Sequence, residues 1–184
     1  TNWESVFSGP AWELDGASGD YYLHLFSRKQ PDLNWENPEV RQAVYAMMRW
    51  WVDRGVDGFR MDVVDLLSRD PALPDGPVPP GGTFGSAHAA VSNGPRLEEF
   101  LAEMNRAVGL SAGHLLTVGE MPSSTIDLAR RVTDPARRAQ AQLDLLFLID
   151  ATGSMSDEID KLKASMADNA DQIGVKYGNV TKAS

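Results

Sequence analysis

The chain has 184 residues, 42% of them hydrophobic and 23% charged, a globular composition long enough for one ordinary domain. Its 26 acidic against 17 basic residues leave a formal charge of −9, which argues against both a phosphate-tracking nucleic-acid binder and adhesion to an anionic membrane. The absence of cysteine excludes disulfides and thiolate metal sites and fits a reducing, cytoplasmic setting.

Residues 1–36 are rich in Trp, Tyr, Gly and Asp and show little periodicity, so an irregular segment is expected, with one short strand at Tyr21–Phe26. The opening TNWESVF has neither a starting Met nor a signal-peptide pattern, and the chain reads as a piece of something longer. A helix is predicted next. Asn37 is a good N-cap, Pro38 suits N1 and Glu39 suits the first turn. Val40, Val44, Met47, Met48, Trp51 and Val52 recur at helical spacing, and Gly55 fits the stop.

A short strand, Val56–Met61, ends at Asp62. Residues 70–95 are dense in proline and glycine and form a long loop of the kind that carries function or moves. Pro95–Val108 is a second predicted helix, with Leu97, Phe100, Leu101 and Met104 on one face. Leu115–Gly119 is a second strand, with Glu120 behind it. Residues 124–132 and 135–142 read as helical, Leu143–Ile149 as a third buried strand, and 156–171 as an amphipathic helix. Strands alternating with helices predict an α/β fold with a parallel sheet.

Asp62 and Glu120 share an address, each directly after an apolar strand. In a parallel α/β array the C-terminal strand ends collect functional groups on one face, and two carboxylates there form a pair suited to glycosidic bond cleavage. Arg60, two residues before Asp62, points the same way in a strand and would hold it ionised. Glu120 has no adjacent cation in sequence and follows an apolar strand, a setting that favours the protonated acid. The competing reading is structural, since a strand-end Asp also caps loops or pairs with an Arg.

Several longer motifs weigh in. GVDGFRMDVV at 55–64 resembles the nucleophile motif of the α-amylase family, glycoside hydrolase family 13, and TVGEMP at 117–122 resembles its acid/base motif. QPDLNW at 30–35, NWESVFSGPAWELD, YYLHLFSRKQPDLNWENPEVR, SNGPR at 92–96 and EFLAEMN resemble its oligo-1,6-glucosidase subfamily, in the right order from about residue 2 to about residue 140. The resemblance implies a retaining α-glucosidase acting on α-linked glucose oligosaccharides without a cofactor. It makes Asp62 the nucleophile, Glu120 the acid/base and Arg60 the residue that orients the nucleophile and touches the sugar. It makes Val63 a substrate-binding residue of members preferring α-1,6 linkages; ordinary strand-end packing is the alternative for that residue.

The family's His-Asp motif, which carries a third carboxylate, and its Asp-x-x-x-Asn-His motif are both missing from the sequence. A full (β/α)8 (TIM) barrel takes eight strands and about 250 residues. Expected here is a partial barrel: 1–36 as the end of an inserted loop domain, then 37–141 as central βα units, catalytically incomplete and without turnover in isolation. His24, His88 and His114 have no partner at metal-ligand spacing, and His24 reads as structural.

From about residue 142 the pattern changes. LDLLFLIDATGSMSDEIDKLK resembles the opening of a von Willebrand factor type A domain, with a join near 139–143. That resemblance implies a truncated Rossmann-like βα unit over 142–184 and an Asp-x-Ser/Thr-x-Ser metal motif at Asp150, Thr152 and Ser154. Hard oxygens at alternate positions suit Mg²⁺ or Ca²⁺. A strand-to-helix turn with a capping serine is the plainer alternative. The second functional hypothesis is therefore a metal-dependent adhesion or interaction module.

Overall fold

The computed structural model describes residues 1–110, 115–134 and 145–147. These belong to one compact unit, Thr1–Leu148. The fold is α/β, with a parallel three-stranded sheet as its centre.

The N-terminal segment is more ordered than its composition predicts. β1 (Trp12–Leu14) pairs antiparallel with β2 (Tyr21–Leu23), Trp12 opposite Leu23. The strand expected to run to Phe26 stops at Leu23. From there the backbone bonds elsewhere: His24 N–H reaches Ala11 O at 2.8 Å, and Leu25 N–H reaches Asp32 Oδ2 at 2.7 Å. His24 is buried, with Nδ1 3.1 Å from Phe26 O.

α1 (Pro38–Val52) starts as expected, Asn37 Oδ1 accepting from Glu39 N–H at 2.9 Å. Its buried stripe is only partly the expected one: Met48 is buried and Val44 and Val52 pack against the core. Arg41, Tyr45 and Met48 are buried, whereas Met47 and Trp51 are about half exposed. The cause is Arg41, whose guanidinium finds partners inside the fold. It bonds Glu103 at 2.8 Å and Trp35 O at 2.6 Å and lies over the Phe100 ring. A paired Arg can be buried along its stem, and this one turns the helix by its polar contacts rather than by its apolar count.

β3 (Gly58–Met61) follows, two residues shorter than predicted. It lies so close to β4 (Leu116–Glu120) that a Cβ at Gly58 would stand 1.9 Å from Leu116 O. The pairing is parallel, with Arg60 opposite Val118 and Met61 opposite Gly119. β5 (Leu145–Phe147) joins the other side of β4, also parallel. It lies within the strand predicted at 143–149 and continues the same sheet as β3 and β4.

The long loop is pinned. Trp3 Nε1 donates to Pro74 O at 2.8 Å, the Asn2 amide brackets Gly76, and a short helix, α2 (His88–Val91), packs Ala90 and Val91 against Trp3 and Leu23. The loop closes into α3 (Leu97–Val108), whose Leu97, Phe100, Leu101 and Met104 are buried as expected. They meet Tyr45, Met48 and Val64 in the main core. α4 (Ile126–Thr133) is capped by Thr125, whose hydroxyl accepts from Leu128 N–H at 3.1 Å, and adds Leu128 and Val132 to that core. No described helix is long and apolar enough to cross a membrane.

Candidate functional site

The parallel register brings two strand ends side by side. Asp62 directly follows β3, and Glu120 is the last residue of β4. Glu120 stands inside the strand rather than behind it, because Phe147 of β5 pairs with it and extends the ladder one residue further than expected.

Arg60 joins the two carboxyls. Its Nη1 donates to Asp62 Oδ1 and its Nη2 to Glu120 Oε2. The expectation that Glu120 has no adjacent cation is thereby corrected: the neighbour comes from the next strand. Arg60 is paired with Val118, two residues before Glu120, so both side chains rise from the same face of the sheet.

The Asp62 carboxyl is held below its ordinary value of 3.8, first by a hydrogen bond with the Glu120 side chain and then by that with Arg60; burial opposes this weakly. The anionic form of Asp62 is thereby favoured. Its side chain is 71% exposed and that of Glu120 30%, so both are open to a molecule approaching the strand ends.

Val63, beside Asp62, has φ 38° and ψ 46°. A β-branched side chain in the left-handed region costs roughly 1–2 kcal/mol. The strained turn reverses the chain directly after Asp62 and starts the 3₁₀ turn Val64–Leu66.

Three groups that sequence reasoning missed stand behind the pair. Asp65 is fully buried, and its Oδ2 accepts from Ser123 N–H at 2.9 Å. Asn93 Nδ2 donates to Ser123 O at 2.6 Å. His88 Nε2 lies 3.2 Å from Ser123 Oγ. The signal was a carboxylate three residues after Asp62 in an otherwise apolar stretch, and an Asn inside SNGPR that had a family likeness but no assigned part. A pocket of about 310 Å³ between α3 and α4 is lined by Asn93, Glu98, Thr125 and Arg131 among others; neither Asp62 nor Glu120 lines it.

Among the described residues no group of three or more His, Cys, Asp or Glu could hold a metal ion. Asp150, Thr152 and Ser154 lie outside the described residues, as do His114 and the helices expected at 135–142 and 156–171.

Comparison with known proteins follows the same lines. A family model described as "Alpha amylase, catalytic domain" matches residues 1–177, a span that includes the segment likened to a type A domain. An oligo-1,6-glucosidase of Parageobacillus thermoglucosidasius is 56% identical over 146 residues, covering 79% of this chain and 25% of the relative. A trehalose-6-phosphate hydrolase of Bacillus subtilis is 50% identical over 147 residues, 80% of this chain and 24% of the relative. The crystal structure of a Bacillus licheniformis trehalose-6-phosphate hydrolase matches with a TM-score of 0.69 at 47% identity, over 79% of this chain and 24% of that one. The chain thus spans about a quarter of the length of the proteins it matches.

Proposed function

Since the chain belongs to the α-amylase family and matches its catalytic domain, we propose that it carries the working pair of a retaining α-glucosidase of the oligo-1,6-glucosidase type. The observation that carries the proposal is the meeting of Asp62 and Glu120 on one guanidinium at neighbouring parallel strand ends. Retaining glycosidases keep their two carboxyls only about 5–5.5 Å apart, against roughly 6.5–9.5 Å in inverting ones. Two carboxyls bonded to the two terminal nitrogens of one arginine belong with the narrow spacing.

The proposed reaction gives the anion's part to Asp62 and the proton's to Glu120. Asp62, the anion, attacks the anomeric carbon of an α-linked glucose as Glu120 passes its proton to the leaving oxygen. The bond from carbon to that oxygen breaks, and a β-glucosyl ester forms on Asp62. Water then attacks the same carbon. Glu120, now a carboxylate, takes the water's proton, and Asp62 leaves as the anion. Two inversions give net retention. Arg60 aligns Asp62 and offsets its charge before substrate arrives. The carboxyl chemistry itself calls for no metal or cofactor.

The substrates we propose are α-linked glucose oligosaccharides, and the location cytoplasmic; the relatives' names support the first and the lack of cysteine the second. Val63, beside Asp62 in a left-handed conformation, is proposed to face the bond being cleaved and to favour α-1,6 linkages. Residues 37–141 are proposed to be central units of a (β/α)8 barrel, with 1–36 closing an inserted domain. A His-Asp motif with the third carboxylate is not in the 184 residues, so the isolated chain is expected to show no turnover.

The test is a hybrid barrel in which the 146 matched residues replace their counterparts in the Parageobacillus relative. The hybrid should hydrolyse 4-nitrophenyl α-glucoside, and Asp62→Asn in it should remove that activity. Undiminished hydrolysis by the Asp62→Asn hybrid rules the proposal out.

A further inference from the structure

Ser123 is held from three directions by residues of two other loops. Asp65 comes from the turn after β3 and takes the Ser123 N–H at 2.9 Å. Asn93, at the end of the long loop, donates to Ser123 O at 2.6 Å. His88, earlier in that loop, meets the Ser123 hydroxyl at 3.2 Å. The holders are themselves tied together. Asn93 N–H donates to Asp65 O at 2.8 Å, and Gly94 N–H donates to Ser68 O at 3.1 Å. A Cβ at Gly94 would stand 2.3 Å from Ser68 O, so only glycine lets the two loops meet this closely. Ser68 Oγ also accepts from Arg96 N–H at 3.0 Å.

The knot sits in a telling place. Asp65 is three residues after Asp62, and Ser123 three residues after Glu120. Between Glu120 and Ser123 lies Met121, which is fully buried. The loop behind Glu120 is therefore anchored at its start by β4, in its middle by Met121 and at its end by Ser123. The loop behind Asp62 is anchored by Asp65, through the same serine. Two carboxyls that must be spaced to a fraction of an ångström are thus coupled by one hydrogen bond, from the Ser123 backbone N–H to the Asp65 side chain. Asp65 is completely out of water, and its Oδ1 has no hydrogen-bond partner among the described residues. Burying a carboxyl this way is costly, and the bond from the Ser123 N–H offsets part of that cost.

We infer that Asp65, Asn93 and His88 are positioning residues that set the spacing of Asp62 and Glu120 through Ser123. The inference rests on the reading of those two carboxyls as the catalytic pair. The burial of Asp65, which raises its carboxyl above the ordinary range, accords with a group kept for internal bonding rather than for contact with solvent. The three residues act on the reaction by holding Glu120 in line.

Two measurements test this. In the 184-residue chain, Asp65→Ala should speed hydrogen exchange of the Ser123 amide at least tenfold. In the hybrid barrel, Asn93→Gly is the cleaner variant. Asn93 has φ 52°, which glycine adopts freely, so only the amide is lost. Misplacement of a catalytic group by about 1 Å costs up to about 10²-fold. The Asn93→Gly hybrid should therefore lose tenfold or more in kcat while KM changes less than about threefold. The pH limb of kcat should also move. A purely structural role would scale activity down equally at every pH and leave that limb in place. The inference is overturned if kcat and the limb are unchanged in Asn93→Gly and in Asp65→Ala while Asp62→Asn abolishes turnover. If Asp62→Asn itself stays active, the function reading has failed and the inference goes with it. Should Asp65→Ala not fold, Asn93→Gly alone decides.

Discussion

Arg60→Met separates what the guanidinium does for stability from what it does for chemistry. Methionine keeps most of the side-chain stem and removes only the charge and the two donated bonds. The Arg60 side chain is 56% exposed, and its partners are 71% and 30% exposed. Ion pairs this open to solvent contribute roughly 0.2–1 kcal/mol each. Losing both should cost about 1 kcal/mol, read by urea denaturation of the 184-residue chain. Chemistry should suffer far more. Without the guanidinium the two carboxyls face each other alone, and Asp62 loses one of the groups that keep it ionised and aligned. In the hybrid barrel kcat should fall by about 10²-fold. A stability loss above roughly 3 kcal/mol with kcat unchanged within twofold would refute this reasoning, because it would make Arg60 a structural ion-pair residue.

Other outcomes follow from the same geometry. Because the Arg60 guanidinium is bonded to the Asp62 carboxyl, Arg60→Met should raise the Asp62 pKa, as read by carboxyl ¹³C titration; an unchanged value would contradict the site description. The sign for stability is that of a depressed acid: whatever Asp62 contributes is present above its ordinary value of 3.8 and is lost as pH falls through its lower folded value, so denaturation below about pH 4 should show the loss and Asp62→Asn should flatten it. Phe100→Ala should cost about 3–5 kcal/mol in urea denaturation, since the ring is fully buried and has two guanidiniums within 5.1 Å. Gly58→Ala should destabilise rather than give the roughly 0.4–1 kcal/mol gain seen where alanine fits, because its Cβ would strike Leu116 O; faster exchange of the Leu116 amide, which bonds Asp57 O at 2.8 Å, is the local readout.

Much of this arrangement is legible in the sequence, for stated reasons. The βα alternation, the cap at Asn37 and the apolar face of α3 are local signals, so they come out close to position. So do the carboxyls at the strand ends, since a strand's end is where an apolar run stops. What was not legible is what depends on partners far along the chain. The buried face of α1 turns on Arg41 meeting Glu103, 62 residues away. Glu120 gains a cation from 60 residues away. Ser123 is held by residues 58, 30 and 35 positions distant. Composition made 1–36 look irregular, yet β1 pairs with β2 there, because three-residue strands are too short to show a period. Val63 carries a strained φ that no residue-type rule assigns to a β-branched side chain.

The central claim is that Asp62 forms a covalent bond to glucose. A fluorinated α-glucosyl fluoride that glycosylates quickly and deglycosylates slowly would trap that species in the hybrid barrel, and peptide mass mapping would locate it. The account predicts one added fluoroglucosyl group on the peptide holding Asp62, absent in Asp62→Asn and slowed in Glu120→Gln. A label on any other residue, or steady hydrolysis with no label while Asp62→Asn remains active, would contradict it.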